Sequence, residues 1–188
     1  FGGSSTANAV TGAGGVATSP LPTANDQIGS YAVLAMSGSL TTSFTLSNLP
    51  PQVVIAAGSP QTATVATNFT LNLQVQVLNP IDGTGLSGLD VIFTAPGSGA
   101  SGRFGEPSTV MVTTNGLGYA TAPTFTANIM AGSYTVSAST VFGANAQFNL
   151  TNAPDVPASL MLISGAPQTT TVNTPLANPL SLLVQDTF

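Results

Sequence analysis

The chain has 188 residues, enough for one β-sandwich unit of about 100 residues and most of a second, and only 4% of its residues are charged. Six residues are acidic, one (Arg103) is basic, and His, Cys, Trp and Lys do not occur. This composition excludes His-based acid–base catalysis, Schiff-base and thiol chemistry and the usual zinc ligands. The net charge of -5 excludes nucleic acid and anionic membranes as partners.

Hydrophobic residues make up 43% of the chain, which is too many for the composition typical of disorder, so we expect a packed core. The most apolar stretches, residues 31–36 and 159–163, have the length of strands and are too short to cross a bilayer. We therefore expect a folded chain without membrane insertion, whose surface is neutral and rich in hydroxyl groups.

From residue 51 onward, short runs of alternating apolar and polar residues are separated by turn residues, a pattern typical of an all-β sandwich. The first four predicted strands are residues 53–57, 62–65, 69–77 and 89–94. In the third of these, FTLNLQVQV, period-two alternation places five side chains on one buried face: Phe69, Leu71, Leu73, Val75 and Val77.

The later strands follow the same pattern. Residues 108–114 and 119–127 flank Asn115-Gly116, and Asn-Gly between extended runs predicts a β-hairpin. Residues 133–140 and 144–151 alternate again. Because two sheets packed face to face bury the apolar alternates of each strand, we expect a core centred on five aromatic side chains: Phe69, Phe93, Phe125, Tyr134 and Phe148.

Three stretches of the sequence return in the same order further along the chain. GGVATSPLPTANDQIGSYAVLA (residues 14–35) returns as LGYATAPTFTANIMAGSYTVSA (117–138). TSFTLSNLP (42–50) returns as AQFNLTNAP (146–154), and AAGSPQTATV (56–65) returns as ISGAPQTTTV (163–172). This order predicts a tandem repeat of roughly 105 residues.

The repeat divides the chain into three predicted parts. Residues 1–50 correspond to the C-terminal half of a repeat, residues 51–156 are one complete repeat, and residues 157–188 correspond to the N-terminal third of a following repeat. We expect the chain to be a segment of a longer array, in which Pro-rich linkers at residues 49–51 and 153–157 limit bending.

The motifs of the complete repeat resemble a known family. DVIFTAPGSGASGRF, VTTNGLGYATAPTFTAN and GSYTVSASTVFGANAQFNLTN are similar to the bacterial Ig-like tandem-repeat domains of the invasin/intimin type, which form long arrays in surface and secreted proteins. The resemblance covers essentially the whole chain. It implies Ig-like β-sandwich repeats in tandem, a spacer role at the cell surface or outside the cell, and no catalytic residues. The near absence of charge departs from the family, so no charge-based partner contact is carried over.

The acidic residues are the candidates for a metal site. Asp82 in NPIDGTG and Asp155 in NAPDVP lie in loops, where carboxylate and carbonyl oxygens can bind calcium. A calcium site normally needs several oxygen ligands with more than one carboxylate, and these acids are isolated. We therefore expect solvated turn residues, with no metal, cofactor or catalytic site.

Three other side chains are candidates for modification or pairing. Asn68 and Asn149 begin N-x-[ST] motifs, which Thr-rich strands often match by chance, so we do not expect glycosylation there. Arg103 is expected to pair with Glu106 on a loop surface, a contact that contributes at most about 1 kcal/mol.

These observations predict a structural repeat segment of an extracellular bacterial filament, stalk or surface fibre. Its expected partners are neighbouring Ig-like repeats, either in the same chain or in an identical chain whose residues 159–188 complete the half-domain 1–50. Continuity within one chain is favoured, since a composite of two copies lacks the roughly 22 residues equivalent to 82–103. The alternative is an adhesin module that engages carbohydrate or host protein through its loops. A carboxylate-pair enzyme is disfavoured because the acids are scattered.

Overall fold

The structure is a computed structural model that describes residues 1–188. The protein is all-β, with no helix, and its fourteen strands form five sheets. The chain divides into two compact units, Phe1–Pro50 and Pro51–Phe188, each of which is described by itself.

The first unit is built around one β-hairpin. Strands β1 (Gly29–Ser37) and β2 (Leu40–Asn48) pair antiparallel along their whole length, from Gly29 opposite Asn48 to Ser37 opposite Leu40. Residues 1–28 contain no strand. The Nδ2 atom of Asn48 ties this segment to the hairpin, because it donates to Oδ1 of Asn25 and to the carbonyl oxygen of Gln27, both at 2.9 Å.

The second unit contains twelve strands. They are β3 (Gln52–Ala57), β4 (Gln61–Thr64), β5 (Gln74–Leu78), β6 (Asp90–Thr94), β7 (Gly102–Arg103), β8 (Thr109–Thr113), β9 (Tyr119–Thr121), β10 (Thr126–Ala127), β11 (Gly132–Thr140), β12 (Asn145–Ala153), β13 (Ser159–Ser164) and β14 (Ser181–Gln185). One sheet has five strands in the order β4-β12-β11-β6-β8, with β4 parallel to β12. Another has the order β3-β5-β9, and the pairs β7/β10 and β13/β14 form small sheets of their own.

A single apolar core joins the five-stranded and three-stranded sheets, which gives the unit an architecture of the β-sandwich type. Val75 and Val77 of β5 share this core with Phe93 of β6 and Phe148 of β12, and none of these side chains is accessible to solvent. Alternate residues of β5, β6 and β12 point inward, as period-two patterning requires.

The predicted core aromatics are confirmed, with one addition. The four predicted phenylalanines are buried, and Tyr134 is half-buried with its hydroxyl donating to Oδ1 of Asn152 at 3.0 Å. The sequence did not indicate Phe104, whose ring lies 4.6 Å from that of Phe125 and 6.2 Å from that of Phe93. It follows β7 as a single apolar residue in a polar loop, so no alternation marks it.

The predicted burial of Leu71 is wrong. The strand in this region begins only at Gln74, so residues 69–73 do not follow strand alternation, and Leu71 is 54% exposed. Its N–H donates instead to Oε1 of Gln61 at 2.8 Å. The side-chain amide of Gln61 bonds this backbone in place of a neighbouring strand. Period-two patterning does not reveal such a contact.

The predicted hairpin at Asn115-Gly116 is also wrong. A turn is present, since the N–H of Gly118 donates to the carbonyl oxygen of Asn115 at 2.9 Å. However, β8 before the turn pairs with β6, whereas β9 after it pairs with β5 in the other sheet. The Asn-Gly segment therefore connects the two layers of the sandwich, and the run predicted for residues 119–127 is divided into β9 and β10.

Candidate functional site

The acidic residues are dispersed in the fold. No group of three or more acidic side chains lies close enough together to hold a metal ion. Oδ1 of Asp82 accepts from the N–H of Thr84 at 2.9 Å and from its hydroxyl at 2.7 Å, and these hydrogen bonds hold the pKa of Asp82 below its usual value. Asp82 thus closes the turn after β5, as expected of an Asp in a Gly-rich loop.

Asp155 lies beside a second carboxylate that the sequence did not indicate. Its N–H donates to Oδ2 of Asp186 at 3.2 Å, and the hydroxyl of Thr187 donates to its Oδ2 at 3.4 Å. Oδ1 of Asp186 in turn accepts from the N–H of Phe188 at 3.0 Å. An open cleft of about 510 Å³ adjoins these groups. The contacts fasten the segment before β13 to the end of β14.

The one basic side chain closes its own loop. The predicted pairing of Arg103 with Glu106 is made through the backbone and not through the carboxylate, because Nη1 of Arg103 donates to the carbonyl oxygen of Glu106 at 3.1 Å. The open cleft next to it, about 460 Å³, is formed by two polar loops, and its most buried hydroxyl, that of Ser101, donates to the carbonyl oxygen of Pro96 at 2.7 Å. Glu106 is the one acidic residue that lines this cleft.

The two N-x-[ST] asparagines are exposed on the sandwich. Oδ1 of Asn68 accepts from the hydroxyl of Thr126 at 2.7 Å. Asn149 lies within β12, and its N–H donates to Oγ of Ser59 at 2.8 Å. Both residues thus take part in contacts between segments that are distant in the sequence.

Two turns of the second unit fold in the same way. After β3, Nε2 of Gln61 donates to the carbonyl oxygens of Gly58 at 2.8 Å and Leu71 at 2.9 Å, and its Oε1 accepts from the N–H of Leu71. After β13, Nε2 of Gln168 donates to the carbonyl oxygens of Gly165 at 2.6 Å and Asn178 at 2.9 Å, and its Oε1 accepts from the N–H of Asn178 at 2.8 Å. We call these the glutamine brackets.

Each bracket requires its glycine. Gly58 and Gly165 have φ of 91° and 96°, a region that side chains other than hydrogen rarely occupy. A Cβ atom would stand 2.7 Å from the carbonyl oxygen of Asn72 at Gly58, and 2.5 Å from that of Pro179 at Gly165. The two turns therefore share one backbone path. The recurring GSPQT and GAPQT are the sequence signal that marks them.

The strands around the two brackets also pair in the same register. β3 and β5 place Val53 opposite Val77 and shift register after Ile55. β13 and β14 place Leu160 opposite Val184 and shift register after Leu162. Since Leu160 and Leu162 are the sequence counterparts of Val53 and Ile55, the bulge falls at the same point in each pair.

The hairpins β1–β2 and β11–β12 agree equally closely. Gly29 lies opposite Asn48, and Gly132 opposite Asn152. The next pair carries two hydroxyls in contact in both hairpins, at 2.7 Å in β1–β2 and 2.9 Å in β11–β12. Nδ2 of Asn152 donates to Oδ1 of Asn128 and to the carbonyl oxygen of Met130, both at 3.0 Å. Asn128 and Met130 are the sequence counterparts of Asn25 and Gln27, which accept from Nδ2 of Asn48.

The matching segments differ in burial. Phe44 of β2 is 60% exposed, whereas its counterpart Phe148 of β12 is fully buried. Val172, after the second bracket, is 86% exposed, whereas its counterpart Val65 is 1% exposed. Large apolar side chains on β13 and β14 are exposed as well, including Leu160, Leu162, Leu182 and Val184. The chain therefore presents two apolar surfaces, one on β1–β2 and one on β13–β14.

Comparison with known proteins adds no relative. No family model matches the chain, and no curated protein matches it significantly. None of the protein's secondary structure is a long apolar helix of the kind that spans a bilayer.

Proposed function

We propose that this chain is a structural repeat segment of an extracellular bacterial filament, stalk or surface fibre, with no catalytic role. Its units are Ig-like β-sandwich repeats in tandem: residues 1–50 form the second half of one repeat, residues 51–156 a complete repeat, and residues 157–188 the start of a third. The partners of each unit are neighbouring repeats of the same or an identical chain.

The observation that carries this proposal is the repeated side-chain geometry. The brackets of Gln61 and Gln168 make the same three hydrogen bonds, and Asn48 and Asn152 anchor hairpins of the same register. Unrelated β-segments share backbone pairing, but they do not share particular side-chain bonds at matching positions. Recurrence of this kind is what a repeat architecture produces.

The surface chemistry supports a mechanical role. Many contacts between segments rest on amides, hydroxyls and buried apolar side chains, whereas Asp82 and Arg103 make local loop contacts. A neutral surface lacks the charge repulsion that keeps soluble domains apart, so lateral association of such units is favoured. Proline at residues 50, 51, 154 and 157 stiffens the two connections between repeats.

Negative-stain microscopy of the native material, labelled with antibody against residues 51–156, tests the proposal. We expect labelled beaded fibres whose spacing is near the length of one sandwich. Compact, discrete particles carrying the label would contradict it.

A glycan array and a host-protein binding screen with the same material separate the structural role from the adhesin alternative. We expect no specific signal from either. We call residues 51–156 the complete unit. Saturable binding that is lost when one of its loops is changed would favour the adhesin.

A further inference from the structure

The two apolar surfaces of the chain are the counterparts of two pieces that are packed together inside the complete unit. We call the hairpin Gly29–Asn48 (β1–β2) the acceptor hairpin, and residues 159–185, with β13, the second bracket and β14, the donor tail. Within residues 51–153, the counterpart of the acceptor hairpin is β11–β12, and the counterpart of the donor tail is the segment from β3 through β5.

Inside the complete unit these two counterparts join through a backbone ladder. β4 pairs parallel with β12, with Gln61 beside Leu150 and Ala63 beside Asn152. The ladder continues where the N–H of Val65 donates to the carbonyl oxygen of Ala153 at 2.9 Å.

The same two pieces also share an apolar core. Val75 and Val77 of β5 belong to one buried cluster with Phe148 and Leu150 of β12. The complete unit thus contains a full template for docking a donor tail on an acceptor hairpin.

The counterparts of the two ladder strands, β2 and residues 168–171, do not form this ladder within the chain. β2 pairs only with β1, so its outer edge has no partner strand. Residues 168–171, the counterpart of β4, form no strand although the bracket before them is folded. Transferring the template register places Gln168 beside Leu46 and Thr170 beside Asn48. The apolar side chains then meet as well, since Val172 takes the position of Val65 and Phe44 that of Phe148.

We propose that the donor tail of one copy of this chain docks on the acceptor hairpin of a second copy, with residues 168–171 pairing parallel to the outer edge of β2. This proposal rests on the repeat proposed above and names the partner that covers its open surfaces. The acceptor hairpin and the donor tail are different surfaces of the same chain, so the contact is heterologous and head to tail. Contacts of this kind extend into open chains or larger rings rather than two-fold dimers.

The composite of donor tail and acceptor hairpin is smaller than the complete unit, and this limits the affinity between the two copies. Neither piece contains a counterpart of β6, which supplies Val91 and Phe93 to the core and pairs with β11. One bond of the template is also lost, because Ala166 stands where Ser59 accepts the N–H of Asn149. We therefore expect reversible, concentration-dependent association rather than a permanent assembly.

Sedimentation velocity of the full chain over a concentration series is the test. We expect monomers at low concentration and successively longer head-to-tail species as the concentration rises. Phe44→Asp removes the acceptor, Val172→Asp removes the donor, and each variant alone should stay monomeric. Val141→Asp adds the same charge at an exposed apolar site in the β11–β12 turn and should associate like the unchanged chain. Circular dichroism and thermal unfolding establish that every variant is folded.

Mixing the two defective variants gives the sharpest result. The Phe44→Asp copy retains its donor and the Val172→Asp copy retains its acceptor, so the mixture should form dimers and nothing longer. Ala166→Ser should tighten association by about threefold to tenfold, because its hydroxyl restores an acceptor for the N–H of Thr45.

Three outcomes would overturn the docking: a chain that is monomeric throughout, association that both charged variants retain, or no dimer in the mixture. The structural role is tested separately. If the native material forms beaded fibres while the isolated chain is monomeric, the structural role stands and only the docking proposal is wrong.

Discussion

The hairpins β1–β2 and β11–β12 share their register, their paired hydroxyls and their anchoring asparagine, yet they differ in burial. Phe148 and Val136 of the second hairpin are inaccessible to solvent, whereas Phe44 of the first is mostly exposed. This difference shows that the pairing within a hairpin and the burial of its side chains have separate causes. Strand pairing within each hairpin, and the contacts of its asparagine with residues 25–27 or 128–130, are made inside one stretch of the chain, while burial depends on strands supplied from elsewhere, such as β4, β5 and β6.

The largest expected difference between the hairpins is in core packing. Phe148→Ala removes a ring from the core cluster and should lower the free energy of unfolding of the second unit by about 3–5 kcal/mol. Phe44→Ala changes an exposed ring of the first unit and should lower the free energy of unfolding of that unit by less than about 0.5 kcal/mol. Urea denaturation at a concentration where the chain is monomeric measures both. Equal losses would show that the first hairpin is also packed.

The asparagine anchors should differ by a smaller amount. Nδ2 of Asn152 also donates to the carbonyl oxygen of Ser101 at 2.9 Å in a buried position, so Asn152→Ala removes a buried hydrogen bond that Asn48 does not make. We expect a loss of about 1–3 kcal/mol. Asn48→Ala should cost less than about 1 kcal/mol, because water can reach the oxygens of Asn25 and Gln27. The same denaturation experiment compares the pair, and a larger loss from Asn48→Ala would contradict the assignment.

Alkaline pH should act on the complete unit through Tyr134. Burial raises the pKa of its phenol above the ordinary value of 10.0. Because the folded state holds this proton more tightly, the stabilisation is fully present below the unfolded pKa and declines as pH rises above 10. Tyr134→Phe should flatten this decline in the free energy of unfolding measured against pH. An unchanged slope would assign the alkaline sensitivity to another group.

The smallest expected effect concerns Asp82. Its pKa is lowered by the two bonds from Thr84, so its contribution is present above the unfolded pKa and is lost as pH falls through the folded value. Asp82→Asn keeps an oxygen acceptor for both bonds and removes the titration. We expect an unchanged melting temperature at neutral pH and a slightly shallower decline in acid. A large shift at neutral pH would show that the Asp82 carboxylate does more than close its turn.

Period-two alternation was enough to place most strands of the complete unit and its inward residues, including Phe148 and Leu150. Alternation reports a strand's two faces but not its partner, so the sequence predicts one hairpin around Asn115-Gly116 although the two segments belong to two sheets. The sequence does not indicate the environments of Leu71 and Phe104 for a related reason: they are set by Gln61 and by the Phe93 and Phe125 rings, which lie 10 or more residues away in the sequence.

The candidate site was predictable in part. The repeated motifs indicated which segments correspond, but the proximity of Asp155 and Asp186 arises only when β14 folds back on β13. The exposure of the acceptor hairpin and donor tail was likewise beyond alternation, because Leu160 and Val53 occupy equivalent positions on strands of the same register and differ only in what covers them.

The glutamine brackets also bear on the surroundings in which the turns keep their shape. Gln61 and Gln168 hold their loops with neutral amides, which neither gain nor lose a proton as acidity changes and are not shielded by dissolved ions as charge pairs are. We expect the hydrogen bonds of these turns to depend little on acidity and on salt concentration.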